Sequence, residues 1–360
     1  MSRLATATIH LGALRRNLAH LCELANPARV LAVVKADAYG HGLERVARAL
    51  ADADAFGVAA IADGVRLRAA GHRQRIVVLA GPDRAADLNE LRRLGLDAVI
   101  HHDSQLEWLA ADRGQRPIRV WLKVDSGMHR LGFAAERIAE VHARLTAMPS
   151  VADGIVLMTH FAASDEFDNA LTANQIVAFS AATQGLPGPR SLSNSAGLLA
   201  WPAARGDWVR AGGLLYGLSV VEGKPGAEFG FAPAMTLATR LVAVNRLKKG
   251  EHVGYGATWT APEDMLLGVA AIGYGDGYPR SAVSGTPVLV NGRPASTAGR
   301  VSMDLLTIDL RGVPDAAVGD PVTLWGPALP AQVVADHAGT ISYELTCGMT
   351  RRVLFVEDDA

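Results

Sequence analysis

The sequence is poor in cysteine and in aromatic residues, and it carries almost no net charge. Only two of its 360 residues are cysteines, Cys22 and Cys347, and their separation matches no metal-ligand spacing. Aromatic side chains make up 6% of the chain, and 35 basic residues against 36 acidic ones leave a net charge of −1. This balance provides no strong field for nucleic acid or for a membrane surface. We therefore expect neither of these partners, and we expect a reducing, cytoplasmic location.

Long apolar runs and targeting signals are also missing. No apolar run reaches the length of about 18 residues that a membrane-spanning helix needs. Thr6, Thr8 and His10 interrupt the N-terminal stretch, which therefore lacks the apolar core of a signal peptide. The chain does contain 49% hydrophobic residues. That content and the length allow two domains, or a barrel with a smaller added unit.

Short apolar runs alternate with amphipathic helical stretches through residues 1–230. The runs that we predict as strands are Val30–Val34, Ala55–Ala59, Ile76–Leu79, Ala98–Ile100, Ile118–Val124, Gly154–Met158, Ser191–Ser193 and Trp208–Arg210. Strands that alternate with helices in this way form a parallel sheet. Seven or eight such units favour a closed (β/α)8 barrel over an open doubly wound sheet. No GxGxxG motif follows the first of these strands, which argues against a dinucleotide-binding fold.

The composition changes near residue 230. Gly226–Pro233 is rich in Gly, Phe and Pro and is typical of a linker. Beyond it, turn signals such as Asn291-Gly292 separate strand-like segments. The predicted strands here are Leu237–Leu247, Pro287–Val290, Leu305–Leu310 and Val322–Trp325. We therefore divide the chain into a barrel, residues 1–230, and a mostly β C-terminal domain, residues 231–360.

Lys35 stands at the carboxyl end of an apolar strand, followed by a short turn that contains two glycines. Barrels of this class collect their active-site groups at this end. A lysine held away from water has a lowered pKa and can attack a carbonyl to form a Schiff base. Tyr39, four residues later, is close enough to bind a ligand that Lys35 holds. An ordinary alternative is a strand-end lysine that extends to solvent and pairs with Asp37.

Polar residues follow later strands at the same position. These segments are Lys123–Arg130, Thr159–Ala162, Ser193–Gly197 and Arg210–Gly213. Serine hydroxyls and glycine amides at such strand ends can hold a phosphate. Taken alone, such a histidine as His160 is more often a core residue, and such an arginine as Arg210 is more often half of a salt bridge. Their shared position at successive strand ends favours one common site.

Together these segments resemble the alanine racemase family of pyridoxal 5′-phosphate (PLP) enzymes. The most specific parts are Ala32–Gly42, Gly127–Gly132, Tyr255–Thr258 and Gly299–Asp304, and the resemblance extends in order over nearly the whole chain. It implies a (β/α)8 barrel and a C-terminal β domain that also takes in the first strand, about residues 1–10. It implies interconversion of L-alanine and D-alanine for peptidoglycan synthesis. It also implies a homodimer in which the partner's C-terminal domain closes each active site.

The resemblance also assigns roles to individual residues. Lys35 would hold PLP and act as the base toward D-alanine, and Tyr255 of the other subunit would be the base toward L-alanine. The remaining roles group by ligand: Tyr39, Ser195, Gly212, Gly213 and Tyr343 toward the PLP phosphate, Asn194 toward PLP without a stated part of it, His160 and Arg210 toward the PLP ring, Arg130 and Met303 toward the substrate carboxylate, and Lys123, Tyr274 and Asp304 in support. Lys123 matches a lysine that is carbamylated in some members of the family.

The sequence departs from the family pattern in a few places and leaves alternatives open. His129 stands where glycine is usual, Trp259 replaces a common tyrosine, and Ala211 begins an altered glycine segment. The alternatives are a serine or broad-specificity racemase, a PLP-dependent amino-acid decarboxylase and a non-catalytic PLP carrier. Arg210 and the Tyr255 segment argue against the decarboxylase, and the presence of a C-terminal β domain argues against the carrier.

Overall fold

The computed structural model describes residues 4–360, and parallel strands of its first half curve into a nearly closed barrel. In chain order the strands of this half are β1 (Thr6–His10), β2 (Arg29–Val33), β3 (Ala55–Val58), β4 (Arg75–Val78), β5 (Asp97–Ile100), β6 (Val120–Asp125), β7 (Phe133–Ala134), β8 (Val156–Met158), β9 (Arg190–Ser191) and β10 (Trp208–Ala211). Their order in the barrel is β10-β2-β3-β4-β5-β6-β8-β9. Two backbone hydrogen bonds bridge the gap between β9 and β10: Asp207 N donates to Arg190 O, and Arg210 N donates to Ser193 O.

The helices between these strands cover the barrel with apolar faces. They are α1 (Leu11–Ala25), α2 (Lys35–Tyr39), α3 (Leu43–Ala49), α4 (Ile61–Ala69), α5 (Asp87–Leu94), α6 (Asp103–Ala111), α7 (Ile138–Thr146), α8 (Ala170–Ala182) and α9 (Ser195–Ala200), with α10 (Ala331–Ala338) and α11 (Ser342–Cys347) later in the chain. In α1, Leu14, Leu18 and Leu21 recur at helical spacing and all are buried. The helix ends shortly before Pro27, whose ring cannot continue it.

A second, mostly antiparallel sheet forms the C-terminal half and includes the first strand of the chain. Its later strands are β11 (Met235–Leu247), β14 (Met265–Ala270), β15 (Pro287–Val290), β16 (Arg293–Thr297), β17 (Leu306–Asp309), β18 (Pro321–Trp325) and β19 (Leu354–Asp358), while β12 (His252–Val253) and β13 (Trp259–Thr260) form a separate pair. β1 pairs with β11 and β19. The expected barrel with a mostly β C-terminal domain is confirmed. The domain boundary near residue 230 stays a prediction.

The structure adds elements that the sequence did not predict. They include β14, β16, β19 and the helices α10 and α11, together with the short elements β7, β12, β13, α2 and α9. The strand expected at Ser191–Ser193 is found one residue earlier and ends at Ser191. Within residues 4–360, none of the helices is both long enough and apolar enough to cross a bilayer.

A charged layer closes the amino-terminal end of the barrel beneath the strands. Asp97, the fully buried first residue of β5, pairs with Arg75 and with Arg119, whose Nε lies 2.6 Å from the carboxylate. Trp121 Nε1 donates a third bond to it at 2.9 Å. The Arg75 guanidinium lies 5.5 Å from the ring centre of Trp208. A single carboxylate therefore links three neighbouring strands at this end.

Replacing this carboxylate should weaken the barrel. We expect Asp97→Asn to lower the free energy of unfolding by about 3 kcal/mol, because a buried carboxylate that accepts from two guanidinium groups contributes more than an exposed pair. The matched control is Asp264→Asn, which removes the exposed Lys248–Asp264 pair and should change stability little. Urea unfolding monitored by tryptophan fluorescence measures both. Equal stability of the two variants would contradict the assigned role of Asp97.

Candidate active site

The segment that follows β2, α2, is a left-handed turn. Its last four residues, 36–39, have φ between 52° and 54°. Residues with a Cβ rarely adopt this conformation, which costs roughly 1–2 kcal/mol for each. Bonds within the turn support it: Ala38 N donates to Val34 O at 3.0 Å, and His41 Nδ1 donates to Tyr39 O at 2.8 Å. The turn reverses the chain directly after Lys35 and buries Tyr39.

The strain in this turn can be tested at Ala36, which is exposed to solvent. We expect Ala36→Gly to keep or raise the stability, by up to about 1 kcal/mol, since glycine adopts positive φ without steric cost. Ala36→Val should lower it by more than about 1 kcal/mol, because a β-branched residue fits this region worst. Thermal unfolding of the two variants beside the parent provides the comparison. If valine were tolerated as well as glycine, the turn would not have this conformation in solution.

Lys35 belongs to a group of cationic side chains at the carboxyl ends of the barrel strands. Burial lowers its pKa, and the positive charges of Arg130 and Arg210 lower it further against an opposing effect of Cys347. Burial and the same two arginines lower the pKa of Lys123 to about 8. Both amines are therefore deprotonated more readily than a free lysine. A neutral amine is the form that attacks carbonyls and accepts protons.

Arg210 is a buried cation without a carboxylate partner among residues 4–360. Its terminal nitrogens donate to Ser191 O at 2.8 Å and to Thr159 O at 2.6 Å. One of them also donates to His160 Nδ1 at 3.2 Å. Its Nε–H is left without an acceptor in the described part of the chain. Burial lowers the pKa of Arg210 to about 10, so the guanidinium remains charged at neutral pH.

His160 is held neutral in this environment. Burial and the nearby charges of Arg210, Lys123, Arg130 and Lys35 place its pKa well below the ordinary value. Because Nδ1 accepts from Arg210, the ring proton lies on Nε2. Because Arg210 has no carboxylate partner among residues 4–360, the alternative prediction that it forms half of a salt bridge is wrong.

Two tyrosine hydroxyls approach the glycine pair that follows β10. A Cβ at Gly212 would lie 2.5 Å from Tyr39 Oη, and one at Gly213 would lie 2.3 Å from Tyr343 Oη. Only glycine leaves room for these contacts. Burial raises the pKa of both tyrosines, which keeps their hydroxyls protonated. Neither hydroxyl makes a hydrogen bond within residues 4–360, so both are available to an anionic ligand.

Ser195 and Asn194 lie beside this glycine pair. Ser195 Oγ accepts from Gly212 N at 2.9 Å. The Asn194 side chain caps α9 by accepting from Gly197 N at 2.8 Å. The site thus combines hydroxyl donors, close backbone and a helix start, which suits a phosphate group.

Three further candidates lie on the surface of the C-terminal half. Tyr255 is 71% exposed, Met303 52% and Tyr274 37%. Tyr274 N donates to Ser302 O, and Gly275 N donates to Met303 O at 2.9 Å. The backbone N–H of Met303 has no acceptor among residues 4–360. Asp304 forms an ion pair with Arg352.

The structure therefore brings the candidates together as two sets. One set, at the barrel mouth, contains Lys35, Tyr39, Lys123, Arg130, His160, Asn194, Ser195, Arg210, Gly212, Gly213 and Tyr343. The other contains Tyr255, Tyr274, Met303 and Asp304, and within residues 4–360 no hydrogen bond or ion pair joins it to the first. The sequence reasoning missed His41, which is fully buried and supports the left-handed turn. Its place between the two glycines of that segment was the available signal.

The comparisons with known proteins agree along the whole chain. Residues 9–220 match the family described as "Alanine racemase, N-terminal domain", and residues 234–356 match "Alanine racemase, C-terminal domain". An alanine racemase of Shewanella baltica (strain OS185) is 53% identical over 353 residues, which cover 98% of this chain and 99% of the relative. The chain belongs to the alanine racemase family.

Solved alanine racemases have the same fold. The biosynthetic enzyme from Pseudomonas aeruginosa superposes with a TM-score of 0.96 at 44% identity, covering 99% of this chain and 100% of that one. The enzyme from Acinetobacter baumannii gives 0.94 at 36% identity, with the same coverage of both chains.

The alanine racemase family depends on PLP, and the barrel-mouth residues fit this cofactor. An amine with a lowered pKa, that of Lys35, suits the aldehyde. The protonated hydroxyls of Tyr39 and Tyr343 can donate hydrogen bonds to the phosphate. The glycine pair leaves space beside these hydroxyls that a Cβ would fill. The unpaired Nε–H of Arg210 suits the ring nitrogen.

Proposed function

We propose that this protein interconverts L-alanine and D-alanine with PLP, by proton transfer at Cα between Lys35 and Tyr255. The observation that carries the proposal is the Lys35 amine, with its lowered pKa, in one site with the buried Arg210 and the tyrosine-lined glycine pair. When bound, PLP withdraws electrons from the Cα of an attached amino acid, which makes the Cα proton removable. The residues of the chain then only have to hold the substrate and move protons.

Two proton-transferring groups are needed, one on each face of the planar centre. With D-alanine, the Lys35 amine takes the Cα proton and the Tyr255 hydroxyl returns a proton to the opposite face. With L-alanine, Tyr255 takes the Cα proton and Lys35 returns a proton to the opposite face. Each direction leaves the two groups in the protonation states from which the other direction starts. Arg130 and the free backbone N–H of Met303 would bind the substrate carboxylate.

Arg210 supports racemisation over decarboxylation. A guanidinium retains its own proton at neutral pH, so its Nε–H can donate to the ring nitrogen without protonating it. Four of its other N–H groups are already directed to fixed acceptors, which fixes the orientation of the fifth. A carboxylic acid at this place would protonate the ring and stabilise a carbanion for longer.

We further propose that the active form is a homodimer whose sites are shared. The exposure of Tyr255, Met303 and Tyr274 in the single chain supports this, because these residues need a surface to pair with. The barrel-mouth set of a second copy offers the complementary groups. The Lys123 amine, with a pKa of about 8, is partly neutral near physiological pH, and this is the form that carbon dioxide carbamylates. A cytoplasmic location and a role in supplying D-alanine for peptidoglycan also remain proposals.

The activity is tested with purified, PLP-loaded enzyme against a panel of L-amino acids, followed by chiral chromatography. We expect D-alanine from L-alanine at the highest kcat/KM. Carbon dioxide release without racemisation would replace this proposal with the decarboxylase. Equal rates with serine or with many amino acids would favour the broad-specificity racemase.

The phosphate end can be probed through its glycines. We expect Gly213→Ala to weaken PLP binding at least tenfold, because the new methyl would overlap the Tyr343 hydroxyl and Val220. Gly312→Ala is the control for a surface glycine, since its φ is not positive and a Cβ there would meet only Pro294 O, at 3.2 Å. PLP titration of the apoenzyme by fluorescence measures both affinities. Unchanged PLP affinity in Gly213→Ala would exclude this glycine pair as the phosphate site.

A further inference from the structure

His129 occupies a backbone conformation that normally selects glycine. Its φ is 55°. Its side chain is 82% exposed, so packing in the core does not offset the cost of this conformation. It lies in the turn of residues 126–132 that connects β6 to β7, directly before Arg130. A residue with a side chain at such a position requires compensating contacts.

Asp125, the last residue of β6, provides these contacts. Its Oδ1 accepts from Gly127 N and from His129 N, both at 3.0 Å. Its Oδ2 lies 3.0 Å from His129 Nδ1. These bonds lower the pKa of Asp125 although burial acts in the opposite direction, so the carboxylate remains charged. One carboxylate thus binds both the backbone and the ring of His129.

The end of the turn, at Gly132, also contacts Asp125. A Cβ at Gly132 would lie 2.6 Å from Asp125 N, so the backbone returns to within contact of the strand end. Arg130 lies between these two fixed points. The turn is therefore held at its start by the His129–Asp125 contacts and at its end by Gly132.

Arg130 has no side-chain hydrogen bond or ion pair of its own within residues 4–360. Its charge nevertheless acts on Lys35, Lys123 and His160, which places its guanidinium near the barrel-mouth set. With no side-chain partner, its position depends on the backbone of the turn.

We propose that His129 is a positioning residue: with Asp125 it clamps the turn so that Arg130 is held ready for the substrate carboxylate. The inference rests on the proposed function, in which Arg130 binds that carboxylate. The clamp replaces the conformational freedom of a glycine with a fixed imidazole–carboxylate contact. It acts on substrate binding and leaves proton transfer by Lys35 and Tyr255 unaffected.

Three variants separate the ring from the backbone conformation. His129→Gly removes the ring and adopts the positive φ at no steric cost. His129→Ala removes the ring and keeps a Cβ that disfavours the positive φ. His129→Asn retains a polar group in a residue type that tolerates positive φ. We expect the first two to raise KM for both alanine enantiomers roughly 3- to 10-fold, as the loss of one hydrogen bond does, with kcat changed less than about twofold. His129→Asn should restore KM to within about twofold of the parent.

Thermal unfolding and the absorbance of bound PLP confirm that each variant is folded and loaded. A parental KM in His129→Gly would overturn the proposal, because the backbone conformation alone would then suffice. A fall in kcat at constant KM would also overturn it. Arg130→Ala is measured in parallel: an unchanged KM there would reject the role of Arg130 and this inference with it. A large increase there, with parental values in both His129→Gly and His129→Ala, would reject the clamp alone.

Discussion

Replacing Lys35 by alanine is expected to abolish racemisation in both directions and to remove the visible absorbance of protein-bound PLP. Lys35 follows β2 at the barrel mouth, and burial with two neighbouring arginines lowers the pKa of its amine. The variant loses both the amine that binds the aldehyde and the base on one face. Activity should fall by at least about a thousandfold, since the lost group acts on the reacting atoms themselves. Absorbance spectra and chiral assays from each enantiomer measure the two losses.

The control for this experiment is Lys123→Ala. Lys123 is buried and, like Lys35, has a lowered pKa, but it is proposed to support the site from another strand, β6. That variant should retain PLP absorbance with lower activity. If Lys35→Ala kept the absorbance, and borohydride fixed PLP onto a different lysine, the assignment of Lys35 would be rejected.

The strand-end position of Lys35 was readable from the sequence because an apolar run and a following turn are local patterns. The left-handed turn after it was not, since alanines such as Ala36 and Ala38 do not favour positive φ and a single aspartate does not predict a run of it. The conformation depends on contacts made elsewhere in the fold. One is the fully buried His41 ring; another is the close approach of Gly40 to Thr346 O in α11. The approach of Gly40 to Thr346 joins parts of the chain about 300 residues apart, and a contact over that distance leaves no local signature.

The C-terminal half was predicted less completely than the barrel. Alternation identified β11, where buried and more exposed residues alternate from Met235 to Val242. The helices α10 and α11 are short, and their segment has no strong amphipathic pattern that separates it from strand. The pairing of β1 with β19 joins the two ends of the chain, and the family resemblance implied only that the first strand belongs to the C-terminal domain. Tyr343 was assigned in the same way, and the structure then placed its hydroxyl at Gly213.

The separation of Tyr255 from Lys35 has a consequence that a mixed dimer can test. Tyr255 is exposed on the C-terminal half, and the proposed dimer places it in the partner's site. Lys35→Ala and Tyr255→Phe homodimers should each be nearly inactive. In a mixed dimer, one site collects both substitutions, while the other has an intact Lys35 from one chain and an intact Tyr255 from the other. Random mixing makes about half of the dimers mixed, so roughly a quarter of the parental activity should return.

The experiment dissociates the two inactive variants together, reassembles them with PLP and measures racemisation. Subunit exchange is confirmed by mass, using a small tag on one chain. The matched control mixes Lys35→Ala with Arg210→Ala: both residues lie in the barrel-mouth set of one chain, so each mixed dimer contains one site with Lys35→Ala, one site with Arg210→Ala and no intact site. Activity should therefore not return in the control mixture, whereas it should return in the test mixture. Under a model with Lys35 and Tyr255 from the same chain, the test pair would behave like the control pair. Each chain with Lys35→Ala would then be inactive, each chain with Tyr255→Phe would be inactive, and no activity would return in the test mixture. Recovery no greater than the sum of the separate variants, with exchange confirmed, would reject the shared site.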